Sequence, residues 1–318
     1  MTKLKPQLAV DVVFAKLRYP LMGFRKVDGV RGCHITGGLT GRSLDPFDNS
    51  AVVAMYASPI YTGFDGEITF DGLLTNATLP AGKTLCSLTT GLMNTSKLKK
   101  GQTELPINVV WNLFDYLHAD VVHLPYLERY QALQGQLDNV KTLGVCLLPW
   151  VWIKNAEQAQ AWIDDCLARK YEGAIFRDPK AMHKSGRATE TLNDFWRFKP
   201  TSDKDAICTA VEEAQQNNNE AKTNSLGRTE RSAHKENKVG NGMIGTIIAT
   251  DVETGQTIRV GPGALKHKDR IAMFKDQSLI VGHPFKYTSL DTGVLDAPRQ
   301  ARYKCHRPKA DLALKEAA

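Results

Sequence analysis

The sequence is poor in paired cysteines. Its six cysteines, Cys33, Cys86, Cys146, Cys166, Cys208 and Cys305, lie far apart and never form a C-x-x-C pair. That spacing argues against a zinc ribbon or a disulfide framework and for reduced thiols. Long apolar runs are missing too. None approaches the roughly 20 residues a membrane-spanning helix needs, and the opening stretch MTKLKPQLAVDVVFAKLRYP is broken by charged residues, so it reads as neither signal peptide nor anchor. A cytosolic protein with no membrane partner is the expectation. No internal repeat is visible, which sets aside repeat architectures. Acidic residues fall short of basic ones, 34 against 41, leaving a formal charge of +7. Such a surface gains affinity for polyanions by releasing counterions from phosphate backbones.

What is present is a normal globular composition, 42% hydrophobic and 24% charged over 318 residues, long enough for two domains that each bury a core. From about Leu21 to Leu117 the pattern is of short β-type runs: GVRGCHI, AVVAMYA, FDGEITF and INVVWNLFDYL, which predict antiparallel sheet. Helical spacing follows in LPYLERYQALQGQL and in NAEQAQAWIDDCLARKY, the latter with Asn155 as N-cap. A strand pair, GVCLLPWVWI, separates them, and strands return in GAIFRD and FWRFKP. The polar KPTSDKD near Lys199 to Lys204 marks a domain boundary. Beyond it the strand DAICTAVEEA leads into an almost wholly polar segment, Gln215 to Gly242, with five Lys/Arg against three Asp/Glu between Asn217 and Gly242. That segment reads as a long loop or disordered insertion. Short strands and a charged helix-like ALKHKDRIAMFKD follow, fitting a small barrel of the OB type.

Four charged residues stand in β-type settings of the first two hundred positions: Lys26 in KVDGVR, Glu67 in FDGEI, Glu172 in YEGAIF and Lys199 in RFKP. Singly, each reads as an ordinary surface charge, and the Asp28-Gly29 pair as a common hairpin turn. Together they suggest phosphoryl or nucleotidyl transfer. A lysine must be neutral to attack, while its usual pKa of about 10.4 keeps it charged; nearby cations or a divalent metal can lower that value. Glu67 and Glu172 are the hard oxygen ligands that magnesium prefers when a nucleotide phosphate completes its shell. Arg42, Arg197 and Lys199 can neutralise charge on a phosphoryl group in transfer.

These motifs resemble, in order, those of the covalent nucleotidyltransferases, and among them the small phage-type ATP-dependent DNA ligases. KVDGVR is similar to their K-x-D-G-x-R, which implies that Lys26 takes AMP from ATP, Asp28 orients it and Arg31 lies near the nick phosphate. GRSLDPF resembles the element whose arginine, here Arg42, contacts the nucleic-acid backbone; FDGEI implies that Glu67 binds ribose and helps organise metal. YEGAIFRDP implies Glu172 as metal ligand, and WRFKP places Arg197 and Lys199 on ATP phosphates. Phe114 or Trp111 in VVWNLFDYL is the aromatic to stack on the base, and Arg25 joins the ATP contacts. MIGTIIATD, TIRVGPG and APRQARYKCHRPK resemble the ligase OB domain and its closing motif, which would set Arg307 and Lys309 on the pyrophosphate. Five motifs in the right order are far more specific than K-x-D-G alone. Phe24 stands where members often carry a polar residue that reads adenine, and Pro308 where an acidic residue is common.

The resemblance implies an α+β chain: an adenylation domain of antiparallel sheets flanked by helices over residues 1–201, then an OB-fold β-barrel over 202–318 with the basic insertion at about 215–242. It implies a monomer that uses ATP with Mg²⁺ or Mn²⁺ to adenylate Lys26, pass AMP to a 5′-phosphate in nicked duplex DNA, and seal the strand, with the OB domain moving between steps. Candidate DNA contacts are Arg31, Arg42, Lys184, Arg187, Arg228, Arg231, Lys235 and Lys238. The nearest alternative is an RNA ligase or capping-type nucleotidyltransferase, and a second is a catalytically silent nucleic-acid-binding module. An NAD-dependent ligase fits less well, since the extra N-terminal region and cysteine-rich zinc motif are lacking.

Overall fold

The structure, a computed structural model, describes residues 4–79, 83–98, 100–138, 144–192, 194–290 and 297–308. The chain divides into two compact units, Met1–Lys199 with Ser225–Gly227 and Pro200–Asn224 with Arg228–Ala318. No helix among the described residues is long and apolar enough to cross a membrane.

The first unit runs β1 (Gln7–Leu8), β2 (Val10–Asp11), β3 (Leu21–Lys26), β4 (Val30–Cys33), α1 (Ser50–Met55), β5 (Phe64–Phe70), α2 (Leu85–Met93) and β6 (Val109–Tyr116). It continues through α3 (Tyr126–Asp138), β7 (Val145–Leu147), β8 (Trp150–Ile153), α4 (Ala156–Ala168), β9 (Gly173–Arg177), β10 (Gly186–Arg187) and β11 (Phe195–Phe198). Five strands form one sheet in the order β2-β11-β9-β3-β8, four form another as β4-β5-β6-β7, and β1 pairs with β10. Most neighbours are antiparallel, but β1–β10, β2–β11 and β6–β7 run parallel.

Two cores hold this unit. In the first, Ala159, Ile163 and Cys166 of α4 cluster with Ala174, Phe176 and Trp196 of the five-stranded sheet. Asn155 caps that helix as expected, accepting from the Gln158 amide at 2.9 Å. In the second, Val52 and Tyr56 cluster with Leu92, Met93, Trp111 and Leu133 around the four-stranded sheet. Helix α3 serves both, with Tyr126 and Tyr130 in one core and Leu133 in the other.

A buried ion triad ties the two sheets and α3 together. Asp115 of β6 accepts from Arg129 of α3 (2.8 and 3.0 Å) and from Arg177 of β9 (3.0 Å). All three side chains are buried. Burial alone would raise the Asp115 carboxyl, but Arg177 and Arg129 outweigh it and hold the group well below the usual carboxylate range.

Three local readings of the sequence change. AVVAMYA, expected as strand, is α1: Asn49 accepts from the amides of Ala51 and Val52 at 3.2 and 3.3 Å, and such a cap starts a helix despite β-branched residues. GVCLLPWVWI is not a strand pair, because β7 joins the four-stranded sheet and β8 the five-stranded one. The Asp28-Gly29 turn is no hairpin either: β3 and β4 lie in different sheets, so the corner carries the chain from one to the other.

The second unit comprises β12 (Thr201–Asn217), β13 (Ala221–Thr223), β14 (Thr229–Arg231), β15 (Lys238–Asp251), β16 (Thr257–Val260), α5 (His267–Lys275), β17 (Pro284–Leu290) and β18 (Arg299–His306). Its antiparallel sheet has the order β16-β15-β12-β17-β18 over a core that includes Ile244, Ile247, Ile258, Phe285 and Tyr287. Among the described residues no continuous ladder closes it into a barrel; its edges meet at one parallel bridge, Gly261 with Arg302.

The insertion expected as loop or disorder is instead a β-ribbon. β12 and β15 stay paired out to Asn217 and Lys238, and β13 pairs with β14 beyond them. Asn219 holds the base of that tip, donating to the carbonyls of Ser232 and His234 at 2.9 and 2.8 Å. A ladder of backbone hydrogen bonds fixed by a polar side chain needs no apolar pattern, so composition could not reveal it.

All five tryptophans, at 111, 150, 152, 162 and 196, belong to the first unit, so their fluorescence follows its unfolding. Replacing Asp115 by Asn leaves two buried guanidiniums against a neutral amide and should cost about 3–5 kcal/mol. Urea titration read by tryptophan emission checks this; an unchanged midpoint would show that the triad is dispensable for folding.

Candidate active site

Strand register builds the site. On β3 the side chains of Phe24 and Lys26 share a face, two residues apart. β9 sets Ile175 beside Phe24 and Gly173 beside Lys26, and β11 sets Arg197 beside Ile175. This face borders a cavity of about 400 Å³ whose walls also include Glu67, Phe114, Arg31, Arg42, Arg187 and Lys199. The volume falls within the ~300–1,000 Å³ typical of ligand pockets.

Two glycines let the cavity's charged end close up. A Cβ on Gly29 would meet Ile68 O at 2.3 Å and Glu67 Cγ at 2.9 Å, so the corner after Lys26 lies directly on β5. A Cβ on Gly173 would meet Phe198 O at 2.0 Å, and its φ of +157° is one side chains rarely adopt. Backbone contact there brings Glu172 to Lys26 and Lys199.

Glu172 is the hub. It is 3% exposed, its amide donates to Lys26 O at 2.9 Å, and its Oε2 accepts from Lys26 Nζ at 2.5 Å. Its Oε1 forms an ion pair with Lys199 Nζ. Burial pulls the Lys26 amine down, but attraction to Glu172 and then Glu67 outweighs it and holds the amine above its ordinary value. The two carboxylates thus favour the charged amine, and the lowering that cations or a divalent metal can bring is not what these neighbours produce by themselves. Burial also pushes the Glu67 carboxyl up to about 7, against the pull of Lys26 and Arg31.

The remaining expected residues are placed as follows. Arg31 grips Asp65 with Nε and Nη2, both at 2.5 Å, and stacks over the Phe114 ring at 4.6 Å. Of the two candidate aromatics, Phe114 lines the cavity while Trp111 is fully buried in the second core. Asp28 is buried at the corner, Arg42 is exposed on the rim, and Arg197 pairs with Asp11 at 2.7 Å. Arg187 donates to Ala9 O at 2.9 Å, and Lys184 is not among the lining residues. Arg25 also lines the cavity, while its guanidinium bonds Asp165 at 3.0 Å and lies over Trp162 and Tyr171, joining the sheet to α4. Phe24 is buried, edge-on to Tyr126 and Tyr130 at 6.0 and 5.9 Å between centroids.

In the second unit, Arg307 donates to both Asp205 oxygens at 2.9 and 3.2 Å, and Lys309 lies outside the described residues. Arg228, Arg231, Lys235 and Lys238 sit on the β-ribbon, where Arg231 also donates to Asn219 O. Sequence reasoning did not single out Asp65, Asp115, Arg177 or Gln7. Their only visible signal is a polar residue inside or beside an apolar strand run.

No protein-family model matches the chain, and no curated protein sequence matches it. Solved structures do. The adenylated DNA ligase of Chlorella virus is 19% identical over 95% of this chain and 99% of its own, with a TM-score of 0.51. A structure from the Lig E DNA ligases is 16% identical over 95% and 99%, with a TM-score of 0.63. The ATP-dependent DNA ligase of bacteriophage T7, in complex with ATP, is 14% identical over 96% and 99%, with a TM-score of 0.51. The chain has the fold of the ATP-dependent DNA ligases. At these identities the likeness speaks for architecture, and it extends along nearly the whole of both chains.

The donor set suits a hard divalent ion. Glu67 and Glu172 both act on Lys26, and carboxylates of this kind hold such an ion together with phosphate and water oxygens; no cluster of three or more metal-binding side chains occurs among the described residues. Glu172→Gln removes the charge that raises Lys26. Competitive acetylation near pH 8, read by mass spectrometry, should show Lys26 several-fold more reactive relative to exposed lysines in the variant; equal reactivity would mean that Glu172 does not control the amine.

Proposed function

We propose that this protein is an ATP-dependent DNA ligase that seals nicks in duplex DNA through an AMP adduct on Lys26, acting as a monomer in the cytosol. The observation that carries the reading is the position of Lys26: it lines a nucleotide-sized cavity whose walls also carry Glu67, Arg197 and Lys199, and its amine shares the Glu172 carboxylate with Lys199. The architecture shared with DNA ligases over both units supports it.

On this reading Lys26 Nζ attacks the α-phosphorus of ATP in line with the departing pyrophosphate, forming the N–P bond as the P–O bond breaks. Its proton must leave first, and Glu172 Oε2, 2.5 Å away, is the nearest acceptor. A divalent ion, Mg²⁺ or Mn²⁺, held by Glu67 and Glu172 would offset phosphate charge. Arg197 and Lys199 face the same space and stabilise charge on the transferring group. Phe114 offers a ring face to the base. AMP then passes to the 5′-phosphate at the nick, and the 3′-hydroxyl displaces it. Arg31 and Arg42 are the cavity cations assigned to nucleic-acid phosphates.

The second unit we read as an OB-type barrel. The five-stranded antiparallel sheet with its edges meeting at Gly261 and Arg302 supports this. Arg228, Arg231, Lys235 and Lys238 on the ribbon are assigned to the DNA backbone.

Incubation with α-labelled ATP and magnesium, followed by denaturing electrophoresis, should label the wild type and leave Lys26→Ala blank. Covalent label on the variant would sink the assignment, and label from GTP or sealing of nicked RNA alone would move it to the RNA-directed relatives. Excising the ribbon tip, residues 218–237, should weaken nicked-DNA binding and flatten its salt dependence by about one in the log–log slope for each phosphate the tip neutralises. Lysine labelling should persist in that variant; its disappearance would contradict a role confined to DNA.

A further inference from the structure

We infer that Gln7 is a positioning residue for the cationic wall of the cavity, acting through a splint that Gln7–Asp11 lays along β11. This rests on the reading of Lys26 as nucleophile. Gln7 is 1% exposed. Its Nε2 donates to Asp194 Oδ2 at 2.7 Å, and its Oε1 accepts from Arg177 Nη2 at 3.1 Å. Only one orientation of the amide gives the carboxylate a donor and the guanidinium an acceptor, so the side chain is fixed at both ends. The Gln7 carbonyl also takes a long hydrogen bond from Arg31 Nη2, 3.4 Å.

Asp194 directly precedes β11, the strand that carries Arg197 and leads into Lys199. Its Oδ1 is buried with no hydrogen-bond partner among the described residues, so the bond from Gln7 is what holds its carboxylate there, while its carbonyl accepts from the Asp178 amide at 3.1 Å. Further along, Val10 and Asp11 pair with Trp196 and Arg197, the Val12 amide donates to Arg197 O at 2.9 Å, and Asp11 takes the Arg197 guanidinium. The N-terminal segment therefore holds β11 from Asp194 to Arg197. Through Arg177 the same glutamine reaches the ion triad. Among the described residues its side chain bonds to Asp194 and Arg177 rather than to the cavity's lysines or Glu172; it sets where the strand bearing Arg197 and Lys199 lies.

The test compares wild type, Gln7→Met, and Gln7→Met combined with Asp194→Asn, measuring the single-turnover rate of Lys26 labelling at saturating ATP together with the melting temperature. Methionine keeps the volume but removes both hydrogen bonds and strands the Asp194 charge; the second change removes that charge. Misplacing catalytic groups by about an ångström costs on the order of 10- to 100-fold in rate, and that is the drop expected in Gln7→Met. In the double variant the melting temperature should recover while the rate stays low. Recovery of rate along with stability would overturn the inference, as would labelling of Gln7→Met at the wild-type rate. Should Gln7→Met fail to fold, the double variant alone decides by its rate. A wild type that takes no label would instead overturn the nucleotidyl-transfer reading itself.

Discussion

A carboxylate that must serve two guanidiniums in the dry interior fixes the first unit. Asp115, Arg129 and Arg177 come from a strand of one sheet, a helix and a strand of the other. Their charges satisfy one another only when all three elements are in register. A buried triad of this kind is weak evidence for stability compared with a well-packed apolar core, but it penalises any arrangement that separates its members. The rings of Tyr126 and Phe195, with centroids 3.7 and 4.2 Å from the Arg177 guanidinium carbon, narrow the choice further. Arg177 also lines the cavity, so the triad reaches its wall.

Its charged end is a shared-anion device. Glu172 meets Lys26 with one oxygen and Lys199 with the other, so a single carboxylate keeps two cations together that would otherwise repel. The same contact favours the protonated form of the Lys26 amine. Reactivity therefore depends on what draws Glu172 away from Lys26, and a divalent ion with nucleotide phosphates is the chemistry suited to that exchange. Burial of Glu67, which lifts its carboxyl to about 7, makes that group sensitive to the same change in charge.

The site is more legible in the sequence than the fold around it. Lys26, Glu67 and Lys199 stand in short motifs whose chemistry is local, and the cavity brings them together; Glu172 reaches the same two lysines. The Arg25 bond to Asp165 of α4 was not legible, because sequence proximity to Lys26 says nothing about which side of a strand a residue faces, and one step along β3 reverses it. Arg31 is readable as a conspicuous cation, but its partner Asp65 is not, since cross-strand pairing is a tertiary fact. AVVAMYA misleads because its β-branched residues favour strand while a single capping asparagine and the core it packs into decide for helix. The ribbon escapes for a different reason: Asn219 and a backbone ladder hold it where apolar residues would elsewhere.

The Asp28-Gly29 corner has a mechanical meaning. Lys26 ends a strand of one sheet, and Glu67 lies on a strand of the other, with Gly29 pressed against the Ile68 carbonyl between them. The gap between the Lys26 amine and the Glu67 carboxylate is thus geared to the angle at which two whole sheets meet, more than to the rotamer of either side chain. A substitution far from the cavity that shifts one sheet against the other acts on that gap as a hand acts on the jaws of a pair of tongs.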